Sequence, residues 1–182
     1  MCNSFNKKFL DEAAKHWSGS EDQSDGRVNG FMKDAIQLAL RGMDNNDGGP
    51  FGCVVVKDGK IIGRGNNRVT SGHDPTAHAE ILAIREACAH LGSHQLEGCV
   101  IYTSCEPCPM CLGAIFWARI SKLYYGCSRA DAAAVGFSDR TIYEAILAQD
   151  PSICGLEVIS FGRNACLPLM EFWDQKDDKV RY

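Results

Sequence analysis

Two short motifs constrain this chain more than anything else in it. His78-Ala79-Glu80 and Pro107-Cys108-Pro109-Met110-Cys111 each stand at or near the start of a helical stretch, and one strand-like run, Cys99–Thr103, lies between them. Two neighbouring parallel helices that begin at the same end of a sheet would bring the two motifs together, and that end is where α/β sheets build sites. Cys108 and Cys111 are three residues apart, so their sulfurs share one helix face. A helix N-terminus favours the thiolate, which is the form that binds metal. With His78 they make three ligands and leave a fourth tetrahedral position open to water, the pattern of a catalytic zinc site. Glu80, two residues past His78, lies beside that water rather than on the metal, where it can take and return a proton.

Each fragment has a plainer reading. His-Ala-Glu alone is common, and Cys-x-x-Cys alone also suits a redox pair or half of a structural zinc site. Cys105, Cys108 and Cys111 imitate an iron–sulfur run, but the next cysteine is Cys127, which is badly placed for a fourth ligand. Cys105 and Cys108 repeat the same spacing. The proline before Cys108 decides for Cys108 with Cys111, because together the motifs match the known H-x-E … P-C-x-x-C signature of zinc deaminases. Cys105 then reads as a buried thiol.

Around the motifs the apolar spacing alternates between two periods. Phe31, Ala35, Leu38, Ala39, Gly42 and Met43 predict a helix over 31–44, ended by Asn45-Asn46-Asp47-Gly48-Gly49-Pro50. Cys53–Val56 and Ile61-Ile62 read as a hairpin about Asp58-Gly59. Asn66, Asn67 and Arg68 fall in a polar loop, and Pro75 opens a helix to about Leu91 with Asp74 as its N-cap. Beyond Cys99–Thr103 come a helix over 107–118, a strand at Leu123–Tyr125, a helix over 139–148, a strand at Leu156–Phe161 and a helix over 166–176. This alternation predicts one layered α/β domain over 31–182. Residues 1–30 read as a polar extension in which Phe9, Ala13 and Trp17 are spaced for one short helix.

Composition narrows the class. With 182 residues, 45% of them hydrophobic, the chain can fill one core. The net charge of −4 and the lack of any Lys/Arg run argue against a nucleic-acid partner. The 10 cysteines mostly sit singly inside apolar runs, which suits reduced, buried thiols in the cytoplasm. No apolar stretch reaches membrane-spanning length, so no membrane partner is expected. His16, His73, His90 and His94 lack partner spacing and read as surface or satisfied histidines.

At the residues quoted so far the chain resembles the cytidine-deaminase-like superfamily, and within it the small single-domain guanine deaminases. The resemblance spans about residues 31–182. Gly49-Pro50-Phe51-Gly52, Asp74–Glu80 and Tyr102–Cys111 are shared by several deaminase branches; Gly136-Phe137-Ser138-Asp139 and the terminal Tyr182 point to the guanine deaminases. It implies a three-layer α/β/α sandwich about a mixed five-stranded sheet, a Zn2+ cofactor, and a homodimer with exchanged C-terminal segments. It further implies hydrolysis of guanine, a small purine base, to xanthine and ammonia. Phe51 and Asn67 would contact the base, Asp139 would face the exocyclic amine, and a lid ending at Tyr182 would cover the pocket. Taken without the resemblance, Asn67 reads as a turn former, Asp139 as a helix N-cap, Phe51 as core and Tyr182 as a frayed terminus. Guanosine deamination, with a pocket open to ribose, and tRNA adenosine deamination, with a basic surface, share the metal motifs. A non-catalytic zinc module would be closed by a fourth ligand.

Overall fold

The computed structural model describes residues 30–180. The N-terminal extension before Gly30, with the short helix expected there, and Tyr182 lie outside the described residues. The chain divides between Ser138 and Asp139 into two units, each described by itself.

The first unit runs α1 (Gly30–Asp44), β1 (Gly52–Lys57), β2 (Lys60–Asn66), α2 (Val69–Gly72), α3 (Ala79–Leu91), β3 (Val100–Cys105), α4 (Pro109–Trp117), β4 (Lys122–Cys127) and α5 (Arg129–Ala134). The sheet order is β2-β1-β3-β4. The pairs β1/β2 and β1/β3 are antiparallel, while β3/β4 is parallel because α4 carries the chain back across. Asp58 and Gly59 both take positive φ, 49° and 71°, which suits a tight hairpin turn whose twist matches the strands.

Strand β1 is interior, so both its faces are apolar. Cys53 and Val55 pack with Ala79, Ala83 and Ala87 of α3, whereas Val54 and Val56 pack with Phe31, Met32 and Leu38 of α1. Helices therefore cover both faces, and the unit is a three-layer α/β/α sandwich. Both helices approach the sheet closely over glycine. A Cβ on Gly65 would lie 2.0 Å from the Ala79 carbonyl oxygen, and one on Gly52 would lie 2.0 Å from that of Ala35.

The second unit holds α6 (Arg140–Ala148), a 3₁₀ turn (Pro151–Cys154) and α7 (Arg163–Gln175). Here the structure corrects the sequence reading: the sheet has four strands, not five, among the described residues. Leu156–Phe161 is exposed and joins no strand ladder among the described residues, with Phe161 94% exposed. An apolar run becomes a strand only when another strand supplies its ladder, and sequence pattern does not report that partner.

A second correction concerns the helix carrying the first motif. It starts at Ala79, not Pro75, and Asp74 does not cap it. The Asp74 carboxylate accepts from the Thr76 N–H at 2.8 Å and its hydroxyl at 2.7 Å, closing a local turn. The Ala77 carbonyl accepts from Arg68 N–H at 2.9 Å, which ties this turn to the chain just after Asn67.

Candidate active site

The later helix start places His78 at the N-cap position of α3, and Cys108 occupies the same position on α4, with Pro109 next. The two helix starts meet. His78 Nδ1 lies 3.6 Å from Cys108 Sγ and 3.5 Å from Cys111 Sγ, and all three donor atoms lie within 4.8 Å of one another. A tetrahedral centre with ordinary zinc–sulfur and zinc–nitrogen bond lengths needs sulfur–nitrogen edges of about 3.5 Å. Both sulfur–nitrogen edges match that value. Cys105, in contrast, is buried at the end of β3, with its thiol directed to the Ser128 carbonyl at 3.7 Å. Burial pushes that thiol up to about 11.

The ligand triangle is electrically poised. The Cys111 thiol and then His78 donate towards Cys108 and hold it down to about 4. Cys111 is correspondingly pushed far above the thiol range by sharing its proton with Cys108, and by burial. His78 is raised, first by its bond to Cys108.

Glu80 is buried beside this triangle at 6% exposure. Its Oε2 accepts from Cys111 Sγ at 3.4 Å, and its Oε1 accepts from the Thr103 hydroxyl at 3.2 Å. Burial raises its pKa above the usual carboxylate range. Thr103, fully buried on β3, was not singled out by sequence reasoning. Its only signal there was its place within Tyr102–Cys111.

Asn67 and Phe51 meet beside the first motif. The Asn67 N–H donates to the Phe51 carbonyl at 2.9 Å, and the Asn67 side-chain oxygen accepts from Val69 N–H at 3.2 Å and Gly49 N–H at 3.4 Å. Its role in the turn is therefore real. The Phe51 ring stands edge-on to Phe137, with centroids 5.0 Å apart at 86°. Ser104, also unremarked in the sequence, accepts from Gly52 N–H at 3.0 Å and so anchors the Phe51 segment to β3. Asp139 stands at the N-cap position of α6 in the second unit, without a side-chain capping bond there. A separate apolar cavity of about 530 Å³ lies between α1 and the β4–α5 end, lined by Met32, Ile36, Leu40, Phe51, Cys127 and Val135 among others. The ligand triangle does not line it.

The model of the cytidine and deoxycytidylate deaminase zinc-binding region matches residues 26–127. The chain belongs to this deaminase family. Zinc is accordingly its cofactor, and among the described residues His78, Cys108 and Cys111 form a group that could hold it. Among relatives of this deaminase, the guanine deaminase of Bacillus subtilis is 57% identical over 116 residues, covering 64% of this chain and 74% of the relative. The tRNA-specific adenosine deaminase of Agrobacterium fabrum is 46% identical over 105 residues, covering 58% and 68%. The crystal structure of the Bacillus subtilis guanine deaminase aligns with a TM-score of 0.79 at 44% identity, covering 85% of this deaminase and 99% of that chain.

Proposed function

We propose that this deaminase hydrolyses guanine to xanthine and ammonia. The observation that carries the reading is the 57% identity to a guanine deaminase across the region that holds both motifs. His78, Cys108 and Cys111 are the residues to hold the metal. Bound there, zinc supplies the Lewis acidity that brings the pKa of water from ~16 down to about 7.

The chain's own residues handle the protons. Glu80 takes one from the attacking water and passes it to a ring nitrogen as the carbon–oxygen bond forms. It then carries the second to the leaving amine as the carbon–nitrogen bond breaks, so water and guanine become xanthine and ammonia. Burial suits this exchange, because a raised pKa lets the carboxyl hold a proton between the two transfers. Thr103, donating to Oε1, orients the carboxyl and leaves Oε2 towards the site. Phe51 stacks on the base and Asn67 bonds its polar edge; Asp139 relays a proton to the amine and Tyr182 closes the pocket. Ammonia release from guanine, guanosine, adenine, cytosine and tRNA tests the reading. Turnover of guanosine or tRNA without guanine overturns it.

The working form in this reading is a homodimer with exchanged C-terminal segments. Its support is the second unit, where Ala145 is the one buried residue among those described while Leu147, Phe161, Leu169 and Phe172 stand exposed. An apolar surface of this kind marks an interface. Among the described residues no helix is long and apolar enough to cross a membrane. The nine described cysteines are all free, which suits the reducing cytoplasm.

A further inference from the structure

We infer that Gly48 is a positioning residue: by leaving no Cβ against the Asn67 carboxamide, it holds that amide with only its N–H groups towards the base. The inference rests on the guanine reading, and it adds to it the polarity of the contact and the residue that sets it. Two backbone N–H groups, of Val69 and Gly49, converge on the Asn67 oxygen. Turning the amide over would set its own N–H2 against both donors, so the hydrogen-bond network permits one orientation. Asn67 is only 6% exposed, yet its side-chain nitrogen has no acceptor among the described residues. Nor is that nitrogen sealed away, since no fully buried side-chain nitrogen or oxygen lacks a partner. A donor fixed in direction on a nearly buried residue, reachable from outside and with no acceptor on the chain, is placed to meet an acceptor on a ligand. Arg68 N–H on the Ala77 carbonyl ties the chain just after Asn67 to the residue that precedes His78. Asn67 therefore reads a purine edge that accepts a hydrogen bond, and it penalises an amino group in the same place.

Gly48 keeps that geometry. A Cβ there would stand 2.1 Å from the Asn67 side-chain oxygen, 3.0 Å from its carboxamide carbon and 3.0 Å from its backbone carbonyl oxygen, so the side-chain oxygen is by far the tightest contact. Gly48 does not have a left-handed φ, so alanine meets no backbone strain and acts only through the collision. The carboxamide cannot yield without breaking the bonds that orient it.

The experiment compares Gly48→Ala, Asn67→Ala, the double variant and Asn67→Asp, by steady-state kinetics on guanine with zinc content and thermal midpoint alongside. Gly48→Ala is expected to lower kcat/KM roughly 10- to 100-fold, mostly through KM, with zinc content unchanged. In the Asn67→Ala background it should cost clearly less than it does alone, because the 2.1 Å collision with the carboxamide is gone and only the 3.0 Å approach to the backbone carbonyl of residue 67 is left. Asn67→Asp keeps the oxygen that binds both N–H groups but replaces the donor by an acceptor, and should show a similar loss in an intact fold. Additive losses in the double variant, or wild-type kcat/KM in Asn67→Asp, overturn the inference. If Gly48→Ala does not accumulate as folded protein, the double variant with Asn67→Ala carries the test: recovery of folded, zinc-loaded protein there assigns the fault to the carboxamide collision, and failure in both backgrounds overturns the inference. A wild-type chain silent on guanine would overturn the guanine reading and this inference together, whereas an active wild type with additive losses overturns this inference alone.

Discussion

Glu80 illustrates how much a single residue's surroundings decide. A carboxylate on a surface helix would be ionised at neutral pH and would hold no proton to give. Here burial raises its pKa, and its two oxygens have different neighbours, the Thr103 hydroxyl and the Cys111 sulfur. Glu80→Gln keeps the shape and leaves the three metal donors in place. It is expected to retain zinc while losing ~10²–10⁴-fold in kcat, the usual scale of a general acid–base step. Metal analysis and steady-state kinetics on the same sample check this, and a variant with near-normal kcat would remove Glu80 from the proton pathway. The motif displayed Glu80 in the sequence. Thr103 was hidden because it meets Glu80 from 23 residues away.

At the scale of elements, two helix starts do the assembling. Helix α3 reaches its place because Ala79, Ala83 and Ala87 lie on the glycines of β2, and Ala79 sits between His78 and Glu80. Gly65→Ala would set a Cβ 2.0 Å from the Ala79 carbonyl oxygen, a backbone atom that can move only with the helix. Overpacking of this kind costs about 1–3 kcal/mol. The thermal midpoint should fall and zinc occupancy with it; a variant that loses stability with full zinc occupancy would show that the helix start is not coupled to the site. The start of α4 carries a pH signature. Cys108 is already held down to about 4, whereas Cys111 keeps its proton well into alkaline pH in the metal-free chain. Metal uptake near pH 7 must displace the Cys111 proton, so affinity should tighten as pH rises and weaken as it falls. Calorimetry of zinc binding in buffers of different ionisation enthalpy should report at least one proton released. Binding without proton release would contradict the assignment of Cys111 as a ligand.

At the scale of the molecule, the two units differ in how they satisfy their apolar residues. The first buries its residues on both faces of the sheet. The second leaves Val158, Ile159, Phe161 and Phe172 open. Exposed apolar residues grouped in this way mark an interaction surface. The chain is expected to sediment as a dimer at micromolar concentration, and a chain ending at Ser138, which lacks the apolar residues of the second unit, should lose that state. Sedimentation as a monomer across the concentration range would remove the exchanged dimer. The sequence pattern over 139–176 shows two helices and an apolar run between them, and the two helices form. Whether the run pairs as a strand depends on what lies beside it, which no local pattern encodes.

What the sequence determined by itself is the chemistry and the order of elements. Metal donors must sit at fixed short spacings on helix starts, and helix and strand periods are local, so His78, Glu80, Cys108, Cys111 and the α/β alternation were all legible. Tertiary structure alone decided the properties that arise between distant residues. These are which thiol keeps the proton, how burial shifts Glu80, how Thr103 orients it, and how Gly48 and Gly49 aim Asn67 from 18 or so positions away. The physical reason is the same in each case: electrostatics and steric contact depend on distance in space, and the chain's pattern records only distance along itself.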